Sequence, residues 1–201
     1  NQKPAFELLL KENLIQSAGT TINLSKVKLK NKILSVMRNS SLIFQTAFKA
    51  QSYVDGFGTN RLVEIIYPSK KNDLVIRDAR DSDLHIYYNW VNDLAVRSSA
   101  LNSNPINIDQ HRNWYTKQLN NSDSYLFVLQ ANGLPVGQIR FNFKGEEAFI
   151  DYSLDDFVRN RGWSDQLIRL GVNKLHSIRP SVINAEVKQG NTRSLAVFLR
   201  L

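Results

Sequence analysis

Residues 157–167 read FVRNRGWSDQL, with two arginines, a glycine and a small hydroxyl residue placed where an extended apolar run gives way to a helical period. A turn of this composition can hold a phosphate without any dedicated side chain. Glycine lets the backbone curl so that successive N–H groups converge at the start of a helix, where the first-turn amides lack partners of their own. Arg159 and Arg161 add positive charge. An ordinary strand-to-helix loop accounts for the same letters, so the local composition alone leaves both readings open.

Other chemistries are narrowed by composition. The 201 residues include no cysteine, which excludes disulfides, thiolate metal sites and acyl-cysteine catalysis. The three histidines, His85, His111 and His176, are far apart and lack ligand spacing, so no metal is expected. A net charge of +8 suits nucleic acid or any phosphorylated ligand. In KVKLKNK, Lys26 to Lys32, no aromatic residue is interleaved, which favours a solvated lysine-rich face over a nucleic-acid stripe. No apolar run approaches the roughly 20 residues of a membrane span and no signal peptide opens the chain, so a soluble, cytoplasmic protein is expected. The chain opens at Asn1 without methionine and stops at Leu201 inside an apolar run, the look of a piece of something longer.

The elements that must position the turn follow from hydrophobic period and punctuation. Residues 1–70 read as helical and mixed: Pro4 suits a first helical turn ahead of Phe6, Leu8, Leu9 and Leu10, and Leu24, Val27, Ile33, Leu34 and Met37 form a second periodic set. YPSKKND, Tyr67 to Asp73, combines proline and charge without period and reads as a linker. Beyond it, LVIRDA is a short strand. DSDLHIYYNWVND is a helix capped at Asp81 or Ser82, and NIDQHRNWYTKQL is a helix capped at Asp109 that buries Ile108, Trp114 and Leu119. YLFVL, an Asn-Gly hairpin and VGQIRFNF follow, the last a half-buried strand with Ile139, Phe141 and Phe143 on one face and Gln138, Arg140 and Asn142 on the other. AFIDYSL shares Ala148, Ile150, Tyr152 and Leu154 on one face. The helix from Ser164 carries Leu167, Ile168, Gly171, Val172 and Leu175; VINAEVK is a strand, and NTRSLAVFLRL opens a last helix. From residue 71 onward the expected domain is therefore a layered α/β or α+β unit.

Arg159-Asn160-Arg161-Gly162-Trp163-Ser164 resembles the Q/R-x-x-G-x-G/A signature of the GCN5-related N-acetyltransferase (GNAT) superfamily, with Ser164 in place of the final small residue. Asn191 to Phe198 resembles the N-x-x-S/A-x-x-x-Y/F segment that begins the superfamily's last helix. The resemblance implies a GNAT fold with a mixed central sheet over residues 71–201, truncated at its C-terminus, and acetyl-coenzyme A as cofactor. Tyr152, Ser153 and Leu154 would meet the pantetheine arm, Arg159 and the stretch Arg161, Gly162, Trp163, Ser164 and Asp165 would serve the pyrophosphate, and Asn191 would contact pantetheine. A β-bulge in the fourth strand would present N–H groups to the thioester carbonyl. Phe198 stands where many members protonate the departing thiolate with a tyrosine, so Tyr152 or Ser194 would have to substitute, or the thiolate would leave unassisted. Asp151, Glu147 and His111 are the candidate bases.

YNWVNDLAVRSSA and IDQHRNW resemble acceptor-side elements of the branch that includes amino-sugar enzymes and ribosomal-protein acetyltransferases, which implies Trp90, Asn92, Arg97, His111 and Trp114 as substrate residues. Trp90 and Trp114 read more readily as core than as ligand-stacking residues. Residues 1–70 resemble the C-terminal end of the glycosyltransferase-like UDP-sugar hydrolase of pseudaminic acid synthesis, through Asn1, Gln2, Asp55, Gly56, Gly58 and Arg61. This implies a small α/β remnant of a glycosyltransferase-B-like domain, inactive by itself. The combined expectation is a bacterial acetyltransferase for the amine of a UDP-linked amino sugar in surface polysaccharide synthesis, with no nucleic-acid or membrane partner and with a homodimer left open. A protein N-terminus or another small amine as acceptor, and a non-catalytic coenzyme A-binding module, stand as alternatives.

Overall fold

The computed structural model describes residues 3–19 and 22–201, which form two compact units, Asn1–Gly58 and Thr59–Leu201. Asn1 and Gln2 lie outside the described residues. The first unit is helical: α1 (Lys3–Lys11), α2 (Lys26–Met37) and α3 (Ser40–Tyr53), with no strand among the described residues in place of the expected α/β remnant. Ser25 and Asn39 cap α2 and α3 by accepting from the amides of Lys28 and Leu42. Lys49 binds the Glu12 carbonyl and carboxylate, tying α3 to the end of α1.

The second unit starts in α4 (Gly58–Ile66), ahead of the expected linker, because Glu64 of α4 is fully buried against residues of the later domain. Five strands follow in the order β1 (Val75–Asp78), β2 (Ser124–Ala131), β3 (Leu134–Lys144), β4 (Glu147–Leu154) and β5 (Val182–Ala185), antiparallel except for the β4–β5 pair. The helices are α5 (Leu84–Asn92), α6 (Leu94–Ser99), α7 (Ile108–Leu119), α8 (Ser164–Ile178) and α9 (Thr192–Phe198). This is the mixed α/β architecture read from the sequence, with α6 as an addition.

Several local expectations change. Asp81 and Ser82 sit in a 3-10 turn, and α5 begins only after Asp83, whose carboxylate takes Arg77 and the Arg80 amide. Asn107, not Asp109, caps α7. The buried face of α7 is His111 and Tyr115, one turn apart, while Ile108, Trp114 and Leu119 are half-buried. β3 is covered on both faces: Ile139 meets α8, and Arg140 meets Trp114 of α7. A Cβ on Gly171 would stand 2.7 Å from the Ile139 side chain, so glycine lets α8 lie close to the sheet. Among the described residues no helix is long and apolar enough to cross a membrane.

Candidate active site

The turn between β4 and α8 is built by its caps. Asp155 accepts from the Phe157 amide and closes the 3-10 turn Asp156–Val158, whose Val158 is buried. The chain then enters the left-handed region at Asn160 (φ 64°) and Gly162 (φ 68°), and Trp163 returns to the right-handed region (φ −91°, ψ −5°). A left-handed residue followed by a right-handed one turns successive N–H groups toward one side. Within the described residues no hydrogen bond takes the amides of Gly162, Trp163 or Ser164, and Trp163 at the N-cap offers no capping side chain. Those three amides are the open donors at the positive end of a 15-residue helix. The Trp163 ring is only 3% exposed and lies in the core rather than across the turn's open side.

The charged side chains around the turn are engaged within the protein. Arg159 pairs with Asp93 at 2.8 Å and donates from Nε to the Leu154 carbonyl, and Arg161 pairs with Glu64 at 2.6 Å while lying over the Phe157 and Trp163 rings. Neither arginine is a free charge at the notch, contrary to the expectation from composition. Lys71 is the cation beside Gly162: its Nζ lies 3.8 Å from where a Cβ on that glycine would stand, and 3.0 Å from Asp165. Burial raises the Asp165 pKa, but Lys71 and the amides of Asp165 and Gln166 outweigh it and leave the carboxyl below its ordinary range. The Asp165 amide is thereby shared with its own carboxylate.

β4 pairs in unbroken register with β3 over its whole length, but with β5 only through Glu147–Ile150. From Asp151 to Leu154 no strand among the described residues pairs with the edge of β4 away from β3, because β5 ends at Ala185 opposite Ile150. The β4 bulge implied by the family resemblance does not occur in the β3–β4 pairing, and the register shift falls instead in β2 at Leu129/Gln130. The open edge is what the site offers to an extended ligand, by strand-like pairing.

Alternation along β4 sends Tyr152 and Asp151 to opposite faces. Tyr152 meets the ring of Phe198 edge-on at 5.7 Å and hydrogen-bonds Ser194. Burial pushes the phenol above its ordinary pKa, with Ser194 opposing, so Tyr152 is protonated near neutrality. Asn191 caps α9 by accepting from the Ser194 amide and donates to Ser194 Oγ. Tyr152, Ser194, Asn191 and Phe198 are thus brought together.

On the other face, Asp151 accepts from Gln138 Nε2 at 3.1 Å and pairs with Arg140 at 3.4 Å; Gln138 also reaches Ser153. Arg140 lies over Trp114, whose ring neighbours His111 at 5.3 Å. Arg97 donates from Nη1 to the carbonyls of Asn102 and Asn104. Burial, which Asp151 opposes and Arg140 reinforces, holds Arg97 below the usual guanidinium range. Within the described residues Arg97 Nε, Arg140 Nε and His111 Nε2 are buried without a partner. Trp90 and Asn92 do not join this cluster: Trp90 is in the core with Nε1 on Asp155, and Asn92 closes the loop to Ile106 through both its amide groups. Glu147 lies at the opposite end of β4, about 20 Å of strand from the turn, and binds Asn184.

Burial and Arg140 lower His111 from an ordinary 6.5 to about 4, with only 2% of the residue exposed. The ring is neutral near pH 7 and a poor proton acceptor. A folded-state value below the unfolded one means that this contribution is complete above about pH 6.5 and is lost as pH falls toward 4. We expect the loss to reach about 2 kcal/mol by about pH 5. Urea unfolding at pH 7 and at pH 5 checks it, and His111→Gln should flatten that part of the profile.

Two residues of the site escaped sequence reading, Lys71 and Glu64. Lys71 lies in the unpatterned charged stretch taken for a linker, and nothing in its spacing points across to residue 165. Glu64 reads as the polar position of an amphipathic helix, yet it is 0% exposed.

The acetyltransferase (GNAT) domain family matches residues 73–201. No curated protein sequence matches the chain. Among solved structures, spermidine N-acetyltransferase from Vibrio cholerae in complex with CoA and spermine superposes with a TM-score of 0.59 at 17% identity, covering 64% of this chain and 79% of that one. AAC(6')-Ib in complex with paromomycin and acetyl-CoA gives 0.56 at 17% identity, over 64% and 81%. The ribosomal L7/L12 alpha-N-protein acetyltransferase RimL gives a TM-score of 0.54 at 18% identity, over 64% and 75%. These likenesses describe the fold. With the family match spanning well over half of the residues, the chain belongs to the GNAT acetyltransferase family.

Proposed function

We propose that residues 71–201 form an acetyl-coenzyme A-dependent N-acetyltransferase whose acceptor is an amine on an anionic small molecule, a nucleotide-linked amino sugar. Bound acetyl-coenzyme A supplies the activated thioester. The open amides of Gly162, Trp163 and Ser164 suit its diphosphate, with Lys71 beside them, and the strand-free edge of β4 at Tyr152 and the Leu154 amide suits the pantetheine arm, the Leu154 carbonyl being held by Arg159. Asn191, engaged as a helix cap beside Ser194, would border that arm. The amine nitrogen forms the new bond to the acetyl carbon as the carbon–sulfur bond breaks. Tyr152 donates its phenolic proton to the sulfur, and Ser194 orients that phenol. An α-amino-type acceptor with a pKa of about 8 is partly neutral near pH 7, so its proton can pass to water, with Asp151 a carboxylate on the same face as Arg140. Positioning the two reactants supplies most of the acceleration.

The observation that carries the choice of acceptor is the cluster of Arg97, Arg140 and His111, with three buried N–H or ring-nitrogen groups left over. Such a cluster favours an acceptor that brings a phosphate or carboxylate and disfavours a polycation. Residues 1–70 we read as the remnant of a UDP-sugar hydrolase: Asp55 accepts from the Phe57 amide across Gly56 (φ 84°), which makes the tight turn that the Asp-Gly-x-Gly-x-x-Arg match requires. The test follows thiol release on mixing the protein with acetyl-coenzyme A and a UDP-4-amino sugar. Release with a peptide amine or spermidine, but none above background with the sugar, overturns the acceptor assignment.

A further inference from the structure

The carboxylate of Glu64 is 0% exposed and takes four different donor groups. Ser69 donates its amide at 3.1 and 3.3 Å and its hydroxyl at 2.7 Å, Asn132 donates Nδ2 at 2.9 Å, and Arg161 donates Nη1 at 2.6 Å. A buried carboxylate persists only when paired and hydrogen-bonded, and this one is satisfied from three separate segments. One is the β2–β3 hairpin tip, where Asn132 (φ 49°) also holds the Tyr67 carbonyl and accepts from Asn60. The other two flank Gly162: Arg161 within the turn itself and Ser69 in the segment that carries Lys71. Arg161 stands between the two left-handed residues Asn160 and Gly162, so the direction of its side chain is coupled to the backbone that aims the open amides. Ser69 stands two residues before Lys71, the cation beside Gly162.

We propose that Glu64 is a positioning residue for the diphosphate turn: α4, which precedes the family's matched span, sets the turn through Arg161 and sets Lys71 through Ser69. The role of Arg161 is then geometric. Its charge is matched by Glu64 and its plane is held by Phe157 and Trp163, while the backbone it fixes meets the ligand. The inference rests on the reading of this turn as the coenzyme A site.

Calorimetry with coenzyme A and steady-state kinetics on the full chain test it. Glu64→Gln removes the charge and turns an amide donor toward groups that themselves donate. The expected result is coenzyme A affinity about tenfold weaker and an equally raised KM for acetyl-coenzyme A, with kcat at saturation within about twofold, since displacement of a positioning group acts on binding geometry. Arg161→Lys keeps the charge but loses the ring-stacked fork, and it should show the same split. A folded Glu64→Gln protein that binds coenzyme A as tightly as the unsubstituted chain overturns the proposal; so does an unchanged affinity in Arg161→Lys if Glu64→Gln does not fold. Coenzyme A binding by the unsubstituted chain separates the two levels. Its absence defeats the cofactor reading together with this inference, whereas its presence with unchanged variants defeats this inference alone.

Discussion

Gly162→Val should weaken acetyl-coenzyme A binding by about two orders of magnitude while the domain stays folded. Space is not the reason, because a Cβ there would meet only the Lys71 side chain, at an ordinary 3.8 Å. The backbone is the reason. At φ 68° a β-branched residue is strained by about 1–2 kcal/mol or more, and relaxing toward negative φ rotates the following peptide so that the Trp163 amide leaves the notch. An amide donated to a charged oxygen contributes about 1.5–3 kcal/mol. A backbone held at φ 68° keeps the bond at the cost of strain and one that relaxes loses it, a loss of up to about 3 kcal/mol, and every 1.4 kcal/mol is about tenfold in affinity. Gly162 is exposed, so neither change unpacks the core. Gly162→Ala should lose less, as alanine tolerates left-handed backbone better than valine. Titration calorimetry with coenzyme A measures both, and an unchanged affinity in a folded Gly162→Val protein would remove this turn from the cofactor site.

The distinction between what was legible in the sequence and what was not follows from the range of the physics involved. Helix α8, the turn before it and the strands β2 to β4 announce themselves through local period and punctuation, and the structure places them where the residues say. The notch of open amides is legible for the same reason: a glycine that must be left-handed and a helix start lacking a capping side chain are both local features. The environment of that notch is not local. Arg159 and Arg161 looked like ligand charges because their partners, Asp93 and Glu64, are 66 and 97 residues away in sequence. Lys71 looked like linker because Asp165 lies 94 residues ahead. On the acceptor side, Trp90 and Asn92 carried the expected residue types, but Asp155 and Ile106 already hold their polar groups. Arg140, which was read only as the polar half of an alternating strand, faces the site because its register partner on β4 is Asp151.

That placement of Arg140 makes the largest expected effect an acceptor effect. Replacing Arg97 and Arg140 together by methionine should raise KM for a phosphate-bearing amine about a thousandfold, because each charge-assisted contact to an anion is worth about 2 kcal/mol. Acceptor-free binding of acetyl-coenzyme A should not change, since the diphosphate amides belong to a different wall. An uncharged amine of similar size should lose little, and spermidine should improve, since two like charges facing a cation are removed. Methionine is chosen because its stem can keep the contact that Arg140 makes with Trp114 without leaving a void. The same double variant also reports on His111 independently of catalysis. Arg140 is the second cause, after burial, of that ring's depressed pKa, so its removal should raise the folded-state value from about 4 and shift the acid loss of stability to a smaller size. Kinetics with three amines of different charge, alongside urea unfolding at pH 5 and pH 7, read the two consequences separately. If KM for the anionic amine stays put while the pH profile of stability flattens, the arginines are neighbours of His111 but not the acceptor's anion site.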